Sequence, residues 1–186
     1  FLGPWGFAAT VFAVISAWAY SAAPVRLTRS GWWGPGVVGL CYEGVPWFTG
    51  AAVMAGAAGV RWEVEVIAGL YAAGARGIMP LNDFKAIEGD TEKGVNSLPV
   101  PLGPERAARL ACWIMAVPQV AVIGLLLLWG APVQAAIVIG LLALQALAMR
   151  KMLRDPKAFA PWYNGTGVLL YVLGMLTTAF ALGGMV

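Results

Sequence analysis

The sequence predicts an all-α protein, a polytopic bundle of transmembrane helices, and three observations support this fold class. Of the 186 residues, 60% are hydrophobic and only 11% are charged. The apolar residues are gathered into runs near the ~20 residues that a helix needs to cross a hydrocarbon core. Lys and Arg residues concentrate in alternate loops between these runs. We expect α-helices throughout, because backbone polar groups in lipid must bond within their own segment.

Six apolar runs define the predicted spans, and together they form a single transmembrane domain over residues 1–186. The spans lie near residues 5–22, 35–57, 62–82, 105–129, 132–151 and 163–183. The longest polar connection, residues 83–104, is too short to form a soluble domain of its own.

The basic residues predict which side of the membrane each loop faces. Ten of the twelve Lys and Arg residues lie in or beside the first, third and fifth loops, whereas the opposite side has Arg61 alone and Arg76 falls within the third span. This bias places the polar loops in the cytoplasm and both chain ends outside. The formal charge of +3 is therefore a topology signal, and it indicates no nucleic-acid partner.

Cysteine and histidine usage limits the chemistry that is possible. Cys41 and Cys112 both lie within predicted spans, without CxxC spacing, so we expect reduced, buried thiols. The chain contains no His, which removes the usual general base and the commonest transition-metal ligand. Any reaction here must proceed without imidazole.

The strongest candidate site is the polar segment Leu81–Gly103, LNDFKAIEGDTEKGVNSLPVPLG. Asp83 and Asp90 are seven residues apart, so a continuous helix would project both carboxylates from one face. Two carboxylates on one face suit Mg²⁺, which completes its shell with water and substrate phosphate. Glu88 falls off that face and is the weaker ligand. An ordinary solvated loop is the alternative, and the helical register of the acids before a turn at residues 93–94 argues against it.

The first cytoplasmic loop, AYSAAPVRLTRSGWWG, has the complementary charge. Tyr20 lies at a span end and is followed by Arg26 and Arg29, while Lys93 adds a cation from the acidic segment. Together the two loops would form the halves of a diphosphate clamp. Positive-inside anchoring would explain the arginines equally well. Contact with anionic lipid is the expected role of the basic fifth loop, RKMLRDPKAFAPWYNG.

Two charged residues lie inside predicted spans. Glu43 is about nine residues into the second span, and Arg76 precedes Asp83 by about two helical turns. An intramembrane charge is costly and normally faces a partner or a wet cavity. The two side chains either neutralise one another as an ion pair or contact substrate.

The chain resembles the UbiA superfamily of intramembrane prenyltransferases, and within it the chlorophyll and bacteriochlorophyll synthase branch. NDFKAIEGD followed by GVNSLPVPLG resembles the branch's second Asp-rich motif, AYSAAPVRLTR its Tyr-plus-basic segment, and KAFAPWYNGTGVLLYVLGM the start of its last helix. Where many relatives carry DxxxD, this chain has Ala86 four residues before Asp90, a variation that the branch shares.

The resemblance also implies that an N-terminal part of the protein is absent from this sequence. The family has nine helices and a first Asp-rich motif of NDxxD type, and the six spans here match helices four to nine. The chain opens FLGPWG, without an initiator Met, a basic n-region or a cleavage site, so we expect no signal peptide. We expect a fragment that supplies half of a metal site and is inactive alone.

The resemblance implies a reaction in which a geranylgeranyl or phytyl group passes from its diphosphate to the propionate carboxylate of (bacterio)chlorophyllide. Asp83 and Asp90 would hold Mg²⁺ with the absent motif in a bacterial inner or photosynthetic membrane. The residues that would bind the polyprenyl diphosphate are Arg26, Arg29, Lys93, Tyr20 and Asn82. The propionate is ionised at neutral pH, as Glu is, so it needs no general base.

Several further roles remain open from the sequence. Glu43, Arg76, Tyr42, Trp47 and Phe48 are pocket candidates, and the three aromatic rings either stabilise an allylic cation or simply pack in the core. One alternative function is a prenyltransferase for another acceptor, such as a quinone precursor or haem. Others are a non-catalytic pigment-binding membrane fragment and a transporter whose loop acids bind cations.

Overall fold

The computed structural model describes residues 3–56 and 59–184, and helices dominate both ranges. In chain order they are α1 Gly3–Ser21, α2 Trp33–Gly39, α3 Val45–Ala55, α4 Trp62–Ala75, α5 Pro80–Asp83, α6 Ile87–Glu92, α7 Pro99–Leu102, α8 Pro104–Leu128, α9 Pro132–Met152 and α10 Pro156–Gly183. A π turn at Leu40–Gly44 joins α2 to α3 in one helical run. Within these ranges β pairing is limited to an isolated bridge, so the all-α fold class is confirmed.

Within residues 3–56 and 59–184, five helical segments are long and apolar enough to cross a membrane. They are Trp33–Ala55, Trp62–Asp83, Pro104–Leu128, Pro132–Met152 and Pro156–Gly183. The first predicted span coincides with the 19 residues of α1, which is not among these five segments. Gly, Pro, Trp and Tyr near its ends lower its mean hydropathy, so its membrane crossing stays a prediction. The predicted end of the second span, residue 57, lies outside the described residues.

The last helix begins earlier than the predicted start near residue 163. Asp155 caps α10 because its carboxylate accepts a hydrogen bond from the Ala158 backbone N–H at 3.1 Å. Pro156 takes the first helical position, which tolerates a missing N–H. Pro161 lies inside the helix, where proline removes one backbone hydrogen bond without ending it here. The predicted start near residue 163 is therefore seven residues too late, because the helix begins at the Asp155 cap rather than at the apolar run.

Buried tyrosines join α4 to α10 in the core. The Tyr171 hydroxyl donates to the Tyr71 carbonyl at 2.6 Å, and the Tyr71 and Thr178 hydroxyls are 2.9 Å apart. The rings of Tyr71 and Tyr171 meet edge to face, with centroids 5.4 Å apart. Hydroxyl groups in hydrocarbon must find partners within the protein, so these bonds fix how the two helices are oriented.

A second set of buried polar contacts joins α8, α9 and α10. The side-chain N–H of Gln119 donates to the side-chain oxygen of Gln145 at 2.8 Å, and that of Gln145 donates to the Tyr163 hydroxyl at 3.1 Å. All three side chains are fully buried. We refer to these residues as the glutamine network.

The close approach of α2 to α4 depends on a glycine. A Cβ at Gly39 would lie 2.7 Å from the Ala72 carbonyl oxygen and 3.1 Å from the Arg76 backbone nitrogen, both tighter than ordinary contacts. Because this residue has no side chain, the π turn that follows it packs against the end of α4. That contact sets the position of Cys41, Tyr42 and Glu43.

Candidate functional site

Asp83 and Asp90 do not share one continuous helix, so the predicted single helical face is wrong. α5 ends at Asp83, a turn closed by a hydrogen bond from the Ala86 N–H to the Asp83 carbonyl (2.9 Å) follows, and α6 starts at Ile87. Phe84, only 2% exposed, inserts into the core and holds this turn in place. The turn nevertheless leaves the two carboxylates close enough to repel each other electrostatically.

The predicted turn at Lys93 and Gly94 is present and ends α6. Gly94 has a φ of +64°, a conformation that favours glycine. Its N–H bonds to the Thr91 carbonyl at 3.3 Å, and the Val95 N–H bonds to the Asp90 carbonyl at 2.8 Å. This pair of bonds is the Schellman motif. It reverses the chain and brings residues 96–98 back beside Asp90.

Ser97 holds the Asp90 carboxylate in place. Its hydroxyl donates to Oδ2 of Asp90 at 2.5 Å, and the serine itself is only 6% exposed. Ser97 was not predicted as a site residue, because its contact with Asp90 exists only after Gly94 has turned the chain. A serine shortly after a Gly-terminated acidic helix is the signal that would have indicated it.

Replacing Ser97 with Ala should destabilise the protein through the Asp90 contact. A hydrogen bond to a charged group contributes about 1.5–3 kcal/mol, and the variant leaves a half-buried carboxylate oxygen without this donor. We expect the free energy of unfolding, measured in detergent micelles, to fall by roughly that amount. Ser97→Thr keeps the hydroxyl and should retain most of the stability. Equal unfolding curves for Ser97→Ala and the unmodified protein would contradict this role.

The basic first loop packs directly against the acidic segment through main-chain bonds. The Gly31 N–H donates to the Asn96 carbonyl at 2.8 Å, and the Asn96 N–H donates to the Arg29 carbonyl at 3.1 Å. A Cβ at Gly31 would lie 2.6 Å from the Leu98 nitrogen and 2.7 Å from the Asn96 oxygen. The loops therefore meet at a distance that only glycine permits.

The arginine side chains of this loop lie on the surface. Arg26 and Arg29 are exposed, and Arg26 adopts a left-handed backbone conformation with φ of +44°. Across residues 3–56 and 59–184, neither guanidinium forms an ion pair with Asp83 or Asp90. The fold thus brings the two predicted halves of the clamp together through the backbone, and the cations remain available to an outside anion.

A cavity of about 620 Å³ opens between α1, the π turn, the end of the α4–α5 segment and α10. Most of its wall is aliphatic, from side chains such as Ala13, Val37, Ile78, Val168 and Val172. Its polar lining comes from Ser16, Tyr20, Ser21, Cys41, Tyr42, Glu43 and Asn82. We call this space the main cavity.

A small polar cleft of about 40 Å³ adjoins the main cavity. Its lining includes the hydroxyl groups of Tyr20, Thr28, Ser30 and Ser97 together with the Asp83 carboxylate. Tyr20 and Met79 line both spaces. A polar compartment beside the metal-type carboxylate therefore borders a larger apolar compartment, and Tyr20 stands at the boundary.

Glu43 and Arg76 do not neutralise each other within the described part of the chain. Glu43 is half-buried and faces the main cavity. Arg76 instead donates to the Trp32 carbonyl at 3.3 Å, and its guanidinium lies 5.4 Å from the centroid of that indole ring. The sequence left open either an ion pair between the two residues or contact with substrate, and among the described residues the ion pair is not formed. Arg76 anchors the start of α2.

Asn82 lines the mouth of the main cavity and bonds to α10. Its side-chain oxygen accepts a hydrogen bond from Asn164 at 3.2 Å, a partner that the sequence analysis did not identify. Glu88 lies apart from the cleft, with its side chain 92% exposed and its carboxylate 3.8 Å from Lys157. Lys93 is exposed at the end of α6.

Two of the predicted aromatic candidates lie outside the main cavity. Trp47 stacks on Tyr71 with ring centroids 6.0 Å apart and packs against the core. Phe48 meets Trp5 edge to face at 6.4 Å and lines a separate space between α1, α3 and α4. Tyr42 differs, because it is 76% exposed and borders the main cavity.

Cys112 is buried as expected, whereas Cys41 is only partly buried because it lines the same cavity.

The two aspartates fit a shared divalent cation but make only part of a site. Within the described residues, no group of three or more His, Cys, Asp or Glu side chains is placed to hold a metal. Two neighbouring carboxylates that repel each other gain from a cation between them, and Mg²⁺ commonly takes only one or two protein carboxylates beside phosphate and water. The arrangement is that of a half site.

Residues 1–164 match the model of the UbiA prenyltransferase family. The chain belongs to this family. The bacteriochlorophyll synthase 33 kDa chain of Cereibacter sphaeroides is 62% identical over 99% of this chain and 61% of its own length. The corresponding values for the Rhodobacter capsulatus 33 kDa chain are 55%, 98% and 61%, and those for the chloroplastic chlorophyll synthase of Arabidopsis thaliana are 34%, 89% and 42%.

UbiA membership confirms the family that the Asp-rich and Tyr-plus-basic motifs indicated, and with it the multi-pass membrane character. The chain spans about three fifths of the length of its bacterial relatives. No solved structure matches it. UbiA prenyltransferases generally depend on a divalent metal.

Proposed function

We propose that the complete protein is a bacteriochlorophyll or chlorophyll synthase that transfers a geranylgeranyl or phytyl group from its diphosphate to the propionate carboxylate of (bacterio)chlorophyllide. The identity of 62% and 55% to two bacteriochlorophyll synthase chains supports the choice of reaction. The structural observation that carries it is the contact between the polar cleft and the main cavity at Tyr20. Such paired spaces suit a ligand with a charged head and a long hydrocarbon tail.

In this proposal the diphosphate lies at the opening of the polar cleft, beside Asp83 and the docked first loop. Mg²⁺ is the proposed cation, and Asp83 and Asp90 would hold it, with Ser97 fixing the orientation of Asp90. When bound, this ion neutralises charge on the diphosphate oxygens. Tyr20 and Asn82 would position the head group, while Arg26, Arg29 and Lys93 attract it electrostatically.

The prenyl chain then occupies the main cavity. Its aliphatic wall excludes water, which protects an allylic cation from hydrolysis. Tyr42 and Glu43 border the space in which that cation would form, and an aromatic face stabilises positive charge. The propionate attacks as a carboxylate: a carbon–oxygen ester bond forms, the bond to diphosphate breaks, and no proton transfer is required. A chain without His suits this chemistry.

The proposed location is the bacterial inner membrane, cytoplasmic or intracytoplasmic, with the cleft facing the cytoplasm. The basic residues of the first, third and fifth loops support this orientation.

Ester formation by the full-length protein tests the reaction directly. The complete gene product, in membranes with Mg²⁺, is incubated with geranylgeranyl diphosphate and bacteriochlorophyllide, and the product mass is measured. We expect the geranylgeranyl ester. Parallel reactions with a quinone precursor or haem should give no prenylated product. A folded full-length protein that forms no ester, or that prenylates one of the other acceptors instead, would refute the proposal.

A further inference from the structure

A groove on the outer face of the bundle, away from the main cavity, lies between α8 and α9. It has a volume of about 230 Å³, and its lining includes Arg109, Trp113, Ala116, Ala146, Met149 and Arg150. The two helices are joined by a short connection and run antiparallel, so the start of α8 lies beside the end of α9. The two arginines therefore sit at the same end of the groove, above its apolar part.

The two arginines have no acidic partner in the described part of the chain. Both are exposed, and the ion pairs formed there involve other residues. Nor does either guanidinium take part in a described hydrogen bond. Two cations that line the same end of an apolar groove are complementary to an anion that carries a hydrocarbon chain.

The surroundings of the groove are also basic. A neighbouring space of about 410 Å³, between the ends of α8, α9 and α10, is lined by Arg106, Arg154 and Lys157. Two acids, Glu105 and Asp155, border the same space, so its lining carries three positive and two negative charges. Together with Arg109 and Arg150, this edge of the bundle has a net positive charge, which concentrates anions at the membrane surface.

The depth of each residue matches the layers of a bilayer. Arg109 lies five residues after the start of α8, about 7.5 Å along the helix, and its long side chain can reach the headgroup level. Trp113 lies one turn deeper, where its 67% exposed ring meets the interface with the acyl region. The small side chains of Ala116 and Ala146 leave room below it.

We propose that this groove binds an anionic phospholipid. The phosphate lies between Arg109 and Arg150, and one acyl chain follows the apolar floor past Ala116 and Ala146. The paired arginines account for the negative headgroup. The apolar floor favours a lipid over free phosphate, because free phosphate has no hydrocarbon chain to contact it. This site is independent of prenyl transfer.

Native mass spectrometry of the full-length protein in detergent tests the proposal. Phosphatidylglycerol and phosphatidylcholine with identical acyl chains are titrated separately, and phosphatidylglycerol should be retained more strongly. Arg109→Gln and Arg150→Gln should each weaken phosphatidylglycerol retention about fivefold, since one basic residue near a membrane surface contributes about 1 kcal/mol. Arg61→Gln, which removes one cation at the opposite side, is the matched control and should leave retention unchanged.

Two further variants separate charge from shape. Arg109→Lys keeps the positive charge and should keep most of the retention. Ala146→Phe fills the groove without changing its charge, so it should weaken binding of the lipid. A short-chain soluble analogue with the same headgroup should bind poorly to every variant. Equal retention of the two lipids, equal loss in Arg61→Gln, or displacement of the lipid by equimolar inorganic phosphate would overturn the proposal.

Discussion

Asp83→Asn and Asp90→Asn should each lower the kcat/KM of ester formation by the full-length protein about 100- to 1,000-fold, the range seen when one charge-stabilising group is removed from an active site. Each change replaces a carboxylate with an amide of nearly the same shape. It removes one negative charge from the half site and with it much of the affinity for a divalent cation. The measurement is the initial rate of ester formation at several Mg²⁺ concentrations.

Comparison with a neighbouring acid separates the two aspartates from general charge effects. Glu92 is an exposed carboxylate in the same short helix as Asp90, outside the lining of the polar cleft. Glu92→Gln therefore removes the same charge from the same segment and should leave the rate near that of the unmodified protein. Higher Mg²⁺ should partly restore the two Asp variants. Full turnover by either Asp variant, or an equal loss in Glu92→Gln, would reject the assigned metal ligands.

Gly31→Ala should separate the first loop from the acidic segment. The added Cβ would lie 2.6–2.7 Å from backbone atoms of Leu98 and Asn96, and backbone cannot move aside as a flexible side chain can. Overpacking of this kind costs roughly 1–3 kcal/mol. We expect a lower free energy of unfolding, faster hydrogen exchange at the backbone amides of position 31 and Asn96, and a marked fall in ester formation.

A glycine in open surroundings provides the control for this prediction. Gly140 lies in the middle of α9 and has no neighbouring atom within 4 Å of a built Cβ. Gly140→Ala should keep or slightly raise stability, because alanine favours a helix more than glycine does. Unchanged exchange at position 31 and Asn96 in the Gly31→Ala variant would show that the docking of the two loops does not depend on this close contact.

The helical part of the fold was predictable from hydrophobic runs alone, and the helix ends were less so. Period and length of apolar segments placed α8 and α9 within a few residues. The start of α10 was misplaced because Asp155 accepts a capping hydrogen bond from the Ala158 N–H, which lets the helix begin at Pro156, before the apolar run. The break between α5 and α6 was missed because the burial of Phe84, a tertiary effect, overrides the helical spacing of the acids.

The residue types of the site could be predicted from the sequence, but the contacts that join them could not. Residue type and loop position indicated that the aspartates, Tyr20 and the basic loop belong to the site. These features depend only on neighbouring residues in the sequence, so they can be read without the folded structure. The contacts that join them, Ser97 to Asp90 and Asn164 to Asn82, connect residues brought together by turns and by packing of α10. Contacts of this kind depend on the folded chain, and no local pattern encodes them.

The glutamine network fixes the relative orientation of α8, α9 and α10. Amide and hydroxyl groups bond across α8, α9 and α10 in one rotational setting only, and turning any of these helices would strand them in hydrocarbon. The helix α1 buries only Gly6, Ala9 and Ser16 of its described residues, and its sole side-chain hydrogen bond among them, from Thr10 to Gly6, is internal to it. Among the described residues, side-chain hydrogen bonds therefore hold α10, which lines one wall of the main cavity, to α8 and α9, whereas α1 lines another wall without such a bond to a different helix.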